Sequence, residues 1–191
     1  MKKYRLTDET KTINGVVLHR IQALEAFGDV HTGDLGGWIE KEFNLSQDRN
    51  CWVYDDAKVF GNAQVFGDAE VSGHAGVYGY AKVFGNAKVY GNAKVYDDAK
   101  VYGDAKVSGN AKVSDNVMVF GDAKVFGDAW VYDDAEVFGN AQVYGDAMVF
   151  GNAKVCGDAK VFGNAQVYGN AKVSDNAMVS GDAKVFGAML G

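Results

Sequence analysis

Few residues of this chain could do chemistry: three histidines, two cysteines and a run of aspartates. His74 follows Asp56 by eighteen residues, and Asp97, Asp115 and Asp133 succeed one another at the same interval, with Asp98, Asn116 and Asp134 beside them. A carboxylate next to an imidazole orients the ring and raises its basicity, which is the arrangement of a general base. A row of aspartates offers hard oxygen ligands of the kind that hold Ca²⁺. At about 4.8 Å two carboxylates repel by roughly 1 kcal/mol in water, so such a row needs cations, salt or neighbouring lysines. Cys51 and Cys156 are too few for a disulfide framework or a cysteine-based zinc site. All of this chemistry depends on whether eighteen residues of sequence bring side chains together in space.

The repeat predicts that they do. From Val53 to Val185 every sixth residue is Val, 23 positions without exception or insertion. Two residues before each Val stands Cys51 and then Ala, from Ala57 to Ala183, with Val117 the one departure. The unit is Ala-x-Val-aromatic-Gly-(Asn/Asp), as in Ala87-Lys88-Val89-Tyr90-Gly91-Asn92. Side chains alternate along an extended segment, so Ala and Val share the inner face while x and the aromatic share the outer one. Gly followed by Asn or Asp is corner chemistry, because these residues tolerate a positive φ. Three corners return the chain over itself, and a parallel β-solenoid of about seven to eight coils follows, its strands stacked about 4.8 Å apart. A fixed interval of eighteen then places His74 over Asp56 and stacks Asp97, Asp115 and Asp133 on one edge.

The unit Val-x-Gly-Asn-Ala-x resembles the hexapeptide repeat of the left-handed β-helix superfamily, which includes acyltransferases and γ-class carbonic anhydrases. The resemblance covers residues 51–187. The stretches Gly36-Gly37-Trp38-Ile39-Glu40 and Asn50-Cys51-Trp52-Val53-Tyr54 are similar to uncharacterised bacterial and phage members, some labelled acyltransferases. The fold class expected is therefore all-β, a single-stranded left-handed parallel β-helix with three strands per coil, and the left hand is what the resemblance implies. It also implies a trimer, acyl-CoA held in clefts between subunits, and a catalytic His near a loop that breaks the coils. No such loop interrupts the register here. A carbonic-anhydrase-like metal site needs three His around one ion, and His19 and His31 lie outside the repeat.

Residues 1–50 read as an N-terminal cap with a degenerate first coil, and residues 51–191 as the β-helix. Val16 to Leu24 suits a strand or short helix. Leu35, Ile39 and Leu45 fall on core positions of the repeat when it is extended backwards, while Lys41 and Gln47 fall on Val positions. Met189 falls on an Ala position beyond the last Val.

The net charge of -6 argues against a nucleic-acid partner. No apolar stretch approaches the roughly 18 residues of a membrane span, and no apolar core follows Met1-Lys2-Lys3. A soluble cytoplasmic protein with free thiols is expected. Of the 23 residues after Val, 17 are Phe or Tyr. One column, Phe60, Tyr78, Tyr96, Tyr132, Phe150, Tyr168 and Phe186, is aromatic at seven of eight places and is the expected interaction face. Stacked lysines such as Lys88, Lys106 and Lys124 flank such columns. The reading these features favour is a non-enzymatic structural or interaction protein that self-associates, a trimer by resemblance. Alternatives are an acyl-CoA-dependent acyltransferase, with His74 and Asp56 its candidate pair, and a carbohydrate-binding β-helix. No cofactor is required by the first reading; Ca²⁺ on the acidic column or acyl-CoA would accompany the others.

Overall fold

A computed structural model describes residues 2–191, and it is all β apart from one 3-10 turn, Glu42–Asn44. Strands β1 (Tyr4–Ile13) and β2 (Val16–Ala23) form an antiparallel hairpin, and β3 (Leu35–Ile39) pairs with β2. The solenoid then advances in short strands, one per hexad, beginning with β4 (Trp52–Val53), β5 (Lys58–Val59) and β6 (Gln64–Val65). Successive strands belong to different sheets, and each pairs in parallel with the strand eighteen residues away, as Lys88 with Lys106 and Val89 with Val107. The result is three faces, named here by their first aromatic. The Phe60 face has eleven strands because β1, β2 and β3 extend it; the Phe66 and Tyr54 faces have eight each, so the chain makes about eight turns.

The two inner columns behave as their spacing requires. Ala57 to Ala171 and Val53 to Val173 are fully buried or within 1% of it, Val117 included. Fully burying one Val contributes roughly 1.5 kcal/mol or more, so stacked columns stabilise coils that would not hold singly. Cys51 lies in this core, and the two cysteines are free. Cys156 occupies an outward ladder position yet is only 7% exposed, because a short side chain among rings stays beneath them.

The register of the first coil differs from the backward extension of the repeat. Ile39 pairs with Val59 and Leu45 bridges to Val65, each across twenty residues. Both are buried, but in Val columns. Two extra residues between Leu45 and Val53 account for the shift, and Gln47 does not occupy a Val position: its Oε1 accepts from the backbone N–H groups of Lys3 (2.9 Å) and Tyr4 (3.3 Å). Leu35 is 52% exposed, since it pairs with Gln22 at the hairpin end of β3, before the solenoid begins. At the far end Leu190 pairs with Val173, seventeen residues away, so Leu190 takes the Val column and Met189 faces solvent.

The hairpin is seated by close approach. A Cβ on Gly36 would stand 2.6 Å from both the Trp52 ring and the Val53 carbonyl, and one on Gly37 would stand 2.7 Å from the Ala57 carbonyl. Trp52, 1% exposed, packs edge-on against Tyr4 and Phe27 beneath the first coil, with ring centroids 6.0 and 5.4 Å apart. Buried Lys3 sends its ammonium to the carbonyls of Arg49 (3.1 Å) and Cys51 (2.9 Å), and burial pulls its pKa down.

Candidate functional site

The corner between the Tyr54 and Phe60 faces brings His74 over Asp56. His74 Nδ1 lies 3.8 Å from Asp56 Oδ2, beyond hydrogen-bond length, and the His74 side chain is 67% exposed. Asp56 is engaged elsewhere: its Oδ1 accepts from the Trp38 indole (3.2 Å) and from Lys11 Nζ (3.3 Å). These two donors, the indole foremost, hold its carboxyl below the usual range. Asp56 thus ties the hairpin to the solenoid as well as facing the imidazole. The other histidines lie apart, His19 with Nδ1 3.3 Å from the Thr7 carbonyl and His31 beside Asp34.

Asp97, Asp115 and Asp133 stack as the interval of eighteen requires, in the corner position that Gly fills in most hexads. All three have positive φ, 56°, 59° and 61°. Two of the carboxylates bond to the coil above: Asp115 Oδ2 accepts from the Asp133 N–H (3.3 Å), as well as from Ser114 Oγ (2.9 Å), and Asp133 Oδ2 accepts from the Gly151 N–H (3.0 Å). Asp55 does the same toward Gly73 at 3.0 Å. Aspartate at this corner, in Asp55, Asp115 and Asp133, therefore accepts from an amide one coil above, which a glycine cannot do. Among the described residues no three His, Cys, Asp or Glu side chains gather as a metal site.

A groove of about 410 Å³ opens on the Phe60 face where the hairpin tip, Ile13 and Asn14, overhangs the coils. His74, Lys58, Lys94, Phe60 and Tyr78 line it, and Gly76 lies between the two lysines. Burial and the nearby Lys11 ammonium lower the Lys58 pKa, with Asp56 opposing them. Sequence reading marked His74; it missed Lys11, Lys58, Lys94 and Asn14, because the position of the hairpin tip carries no sequence signal.

Above the groove the aromatic columns form ladders. Phe60, Tyr78 and Tyr96 stack with centroids 5.0 and 5.1 Å apart and planes within 11°. Ser114 interrupts the column, after which Tyr132, Phe150 and Tyr168 stack at 4.8 and 5.0 Å. Phe66 to Phe138 stack without a break on the adjacent face. Rings this close cover one another's π faces, so a ladder offers solvent mainly ring edges and tyrosine hydroxyls. Phe186 (68%) and Tyr90 (40%) are more exposed, as is Trp130 at an x position, 38% exposed beside Tyr132 and under the Lys112 ammonium.

A family model described as the YdcK β-solenoid repeat matches residues 141–157. A relative from Escherichia coli (strain K12), named "Uncharacterized acetyltransferase YdcK", is 40% identical over 67 residues, 31% of this chain and 21% of the relative. Three parallel sheets at an eighteen-residue interval agree with both. The chain fits the hexapeptide-repeat left-handed β-helix family. The match spans about a fifth of the relative's length, so it carries the architecture and not the activity of the whole relative. Among the described residues no helix is long and apolar enough to cross a membrane.

Proposed function

We propose that the protein is a non-enzymatic β-helical rod that associates with further copies of itself through the Phe60 face, as a trimer. The observation that carries this reading is the concentration of apolar surface in a column whose register is never broken by an active-site loop. Six of the seven rings are partly buried and Phe186 is 68% exposed, which leaves on the order of 400 Å² of ring surface per copy, so a paired face buries about 800 Å² from the rings alone, short of the roughly 1,000 Å² of a specific interface. Trp130 and the flanking lysine stems add to that area. Tyr96→Lys combined with Tyr132→Lys should dissociate the assembly and leave the β-sheet circular dichroism unchanged, because both side chains lie outside the Ala and Val core. Light scattering that finds a monomer of the unmodified protein at micromolar concentration removes the reading.

A second reading is supported by the printed name of the relative: acetyl transfer, with His74 taking the proton from an acceptor as it attacks an acetyl thioester. Turnover of acetyl-CoA that is lost in His74→Ala would establish it, and calorimetry without heat of acetyl-CoA binding would dispose of it.

A further inference from the structure

We propose that the groove at Gly76 is a binding site for a small organic oxyanion, a phosphate or carboxylate carried on a body about the size of a monosaccharide. Every other outward strand position of the repeat from Trp52 to Lys184 bears a side chain longer than a hydrogen atom, and Gly76 alone leaves a gap. The gap is placed where cations gather. Lys58 and Lys94 pair with Gly76 from the coils below and above, and His74 stands at the adjoining corner.

Charge is left over at this place. Among the described residues, Lys88 and Lys154 are the two outward-strand lysines that pair with a glutamate, at 2.9 Å, and the rest carry uncompensated charge. Among the described residues neither Lys58 nor Lys94 has a carboxylate within 4.0 Å, and Asp56 is shared among Lys11, Trp38 and His74. An unpaired positive cluster on a chain of net charge -6 draws anions locally. The groove walls suit the same ligand. Phe60 and Tyr78 are stacked on one another, so they turn ring edges toward the groove, and ring edges are the positive part of the quadrupole. Asn14 at the hairpin tip also lines the groove, with an amide that can donate to an oxyanion. A volume of about 410 Å³ is enough for a small metabolite.

The site does not depend on self-association or on acetyl transfer, and sedimentation run in parallel reports assembly separately. The test is calorimetry on the full chain at low ionic strength with three probes: inorganic phosphate, glucose 6-phosphate and malonate. Saturable binding of at least one probe is expected, weakened tenfold or more in Gly76→Gln and in Lys58→Gln combined with Lys94→Gln, and unchanged in Lys124→Gln. Binding of phosphate and glucose 6-phosphate without malonate identifies a phosphate site, and the converse a carboxylate site. Gly76→Gln introduces a residue found at the same place in other hexads, and its Cβ meets nothing closer than Tyr78 at 3.6 Å, so the variant should fold. Absence of saturable binding by all three probes at millimolar concentration overturns the proposal, as does binding that Gly76→Gln leaves intact.

Discussion

The hairpin end and the repeat solve the same problem in opposite ways. In the repeat the same bonds recur coil after coil: strand amides donate to the coil above, Ala amides such as that of Ala111 close their own turn (to the Ser108 carbonyl, 3.3 Å), and exposed corner amides form ladders such as Asn92 to Asn110 (3.1 Å) and Asn110 to Asp128 (2.9 Å). At the hairpin end polar groups are satisfied one at a time by non-repeating contacts, and the buried Arg20 Nε has no hydrogen-bond partner among the described residues. Asn44, fully buried, donates to the carbonyls of Gly61 (3.1 Å) and Ala63 (2.9 Å), and the Tyr4 hydroxyl donates to the Leu45 carbonyl at 2.7 Å. Translation by one coil maps the repeat onto itself, so its hexads are interchangeable and an outcome there depends on which face a residue occupies. Nothing repeats at the hairpin end, so outcomes there depend on the identity of single residues.

The sharpest break of this comparison is a charge inside the repeat. Val119→Asp buries an unpaired carboxylate among stacked Val and Ala and should leave no soluble folded protein, judged by circular dichroism and gel filtration. A folded Val119→Asp protein would show that the Val columns are not the core.

A smaller loss is expected at the hairpin end. Gly36→Ala sets a methyl 2.6 Å from the Trp52 ring and the Val53 carbonyl, an overpacking that costs about 1–3 kcal/mol. Tryptophan fluorescence should report release of the hairpin at lower urea than the circular dichroism of the repeat. Coincident transitions at the unmodified midpoint would mean that β3 is not closely seated.

Val117→Ala should change stability by less than about 1.5 kcal/mol in a denaturant titration, because it converts one hexad to the composition of its neighbours. A larger loss would show that hexads are not interchangeable.

The smallest effect expected is a pH dependence. Asp56 is held below its usual pKa by the Trp38 indole and then Lys11, so its contribution is present above the unfolded carboxyl value and is lost as pH falls through the folded one. Acid should therefore loosen the hairpin before the solenoid, and Asp56→Asn should make its release less dependent on acid pH. Limited proteolysis between β1 and β2 across an acid series reads this directly.

What the sequence determined by itself is the solenoid: the inward Val and Ala, the three-sided cross-section, the pairing at eighteen residues and the stacking of His74 over Asp56 all follow from one period and one alternation. Local rules suffice there because each coil repeats the geometry of the last. The tertiary structure alone decided the two-residue slip that moves Ile39 and Leu45 into Val columns, the burial of Lys3 on backbone carbonyls, and the hairpin tip that encloses the groove at Gly76. Those features are contacts between segments far apart in sequence, 48 residues for Lys3 with Cys51 and 80 from Asn14 to Lys94, made once and without periodicity. Asp56 spans both kinds of determination, since its place under His74 is periodic while the bonds from Lys11 and Trp38 arise only when the hairpin folds back on the first coil.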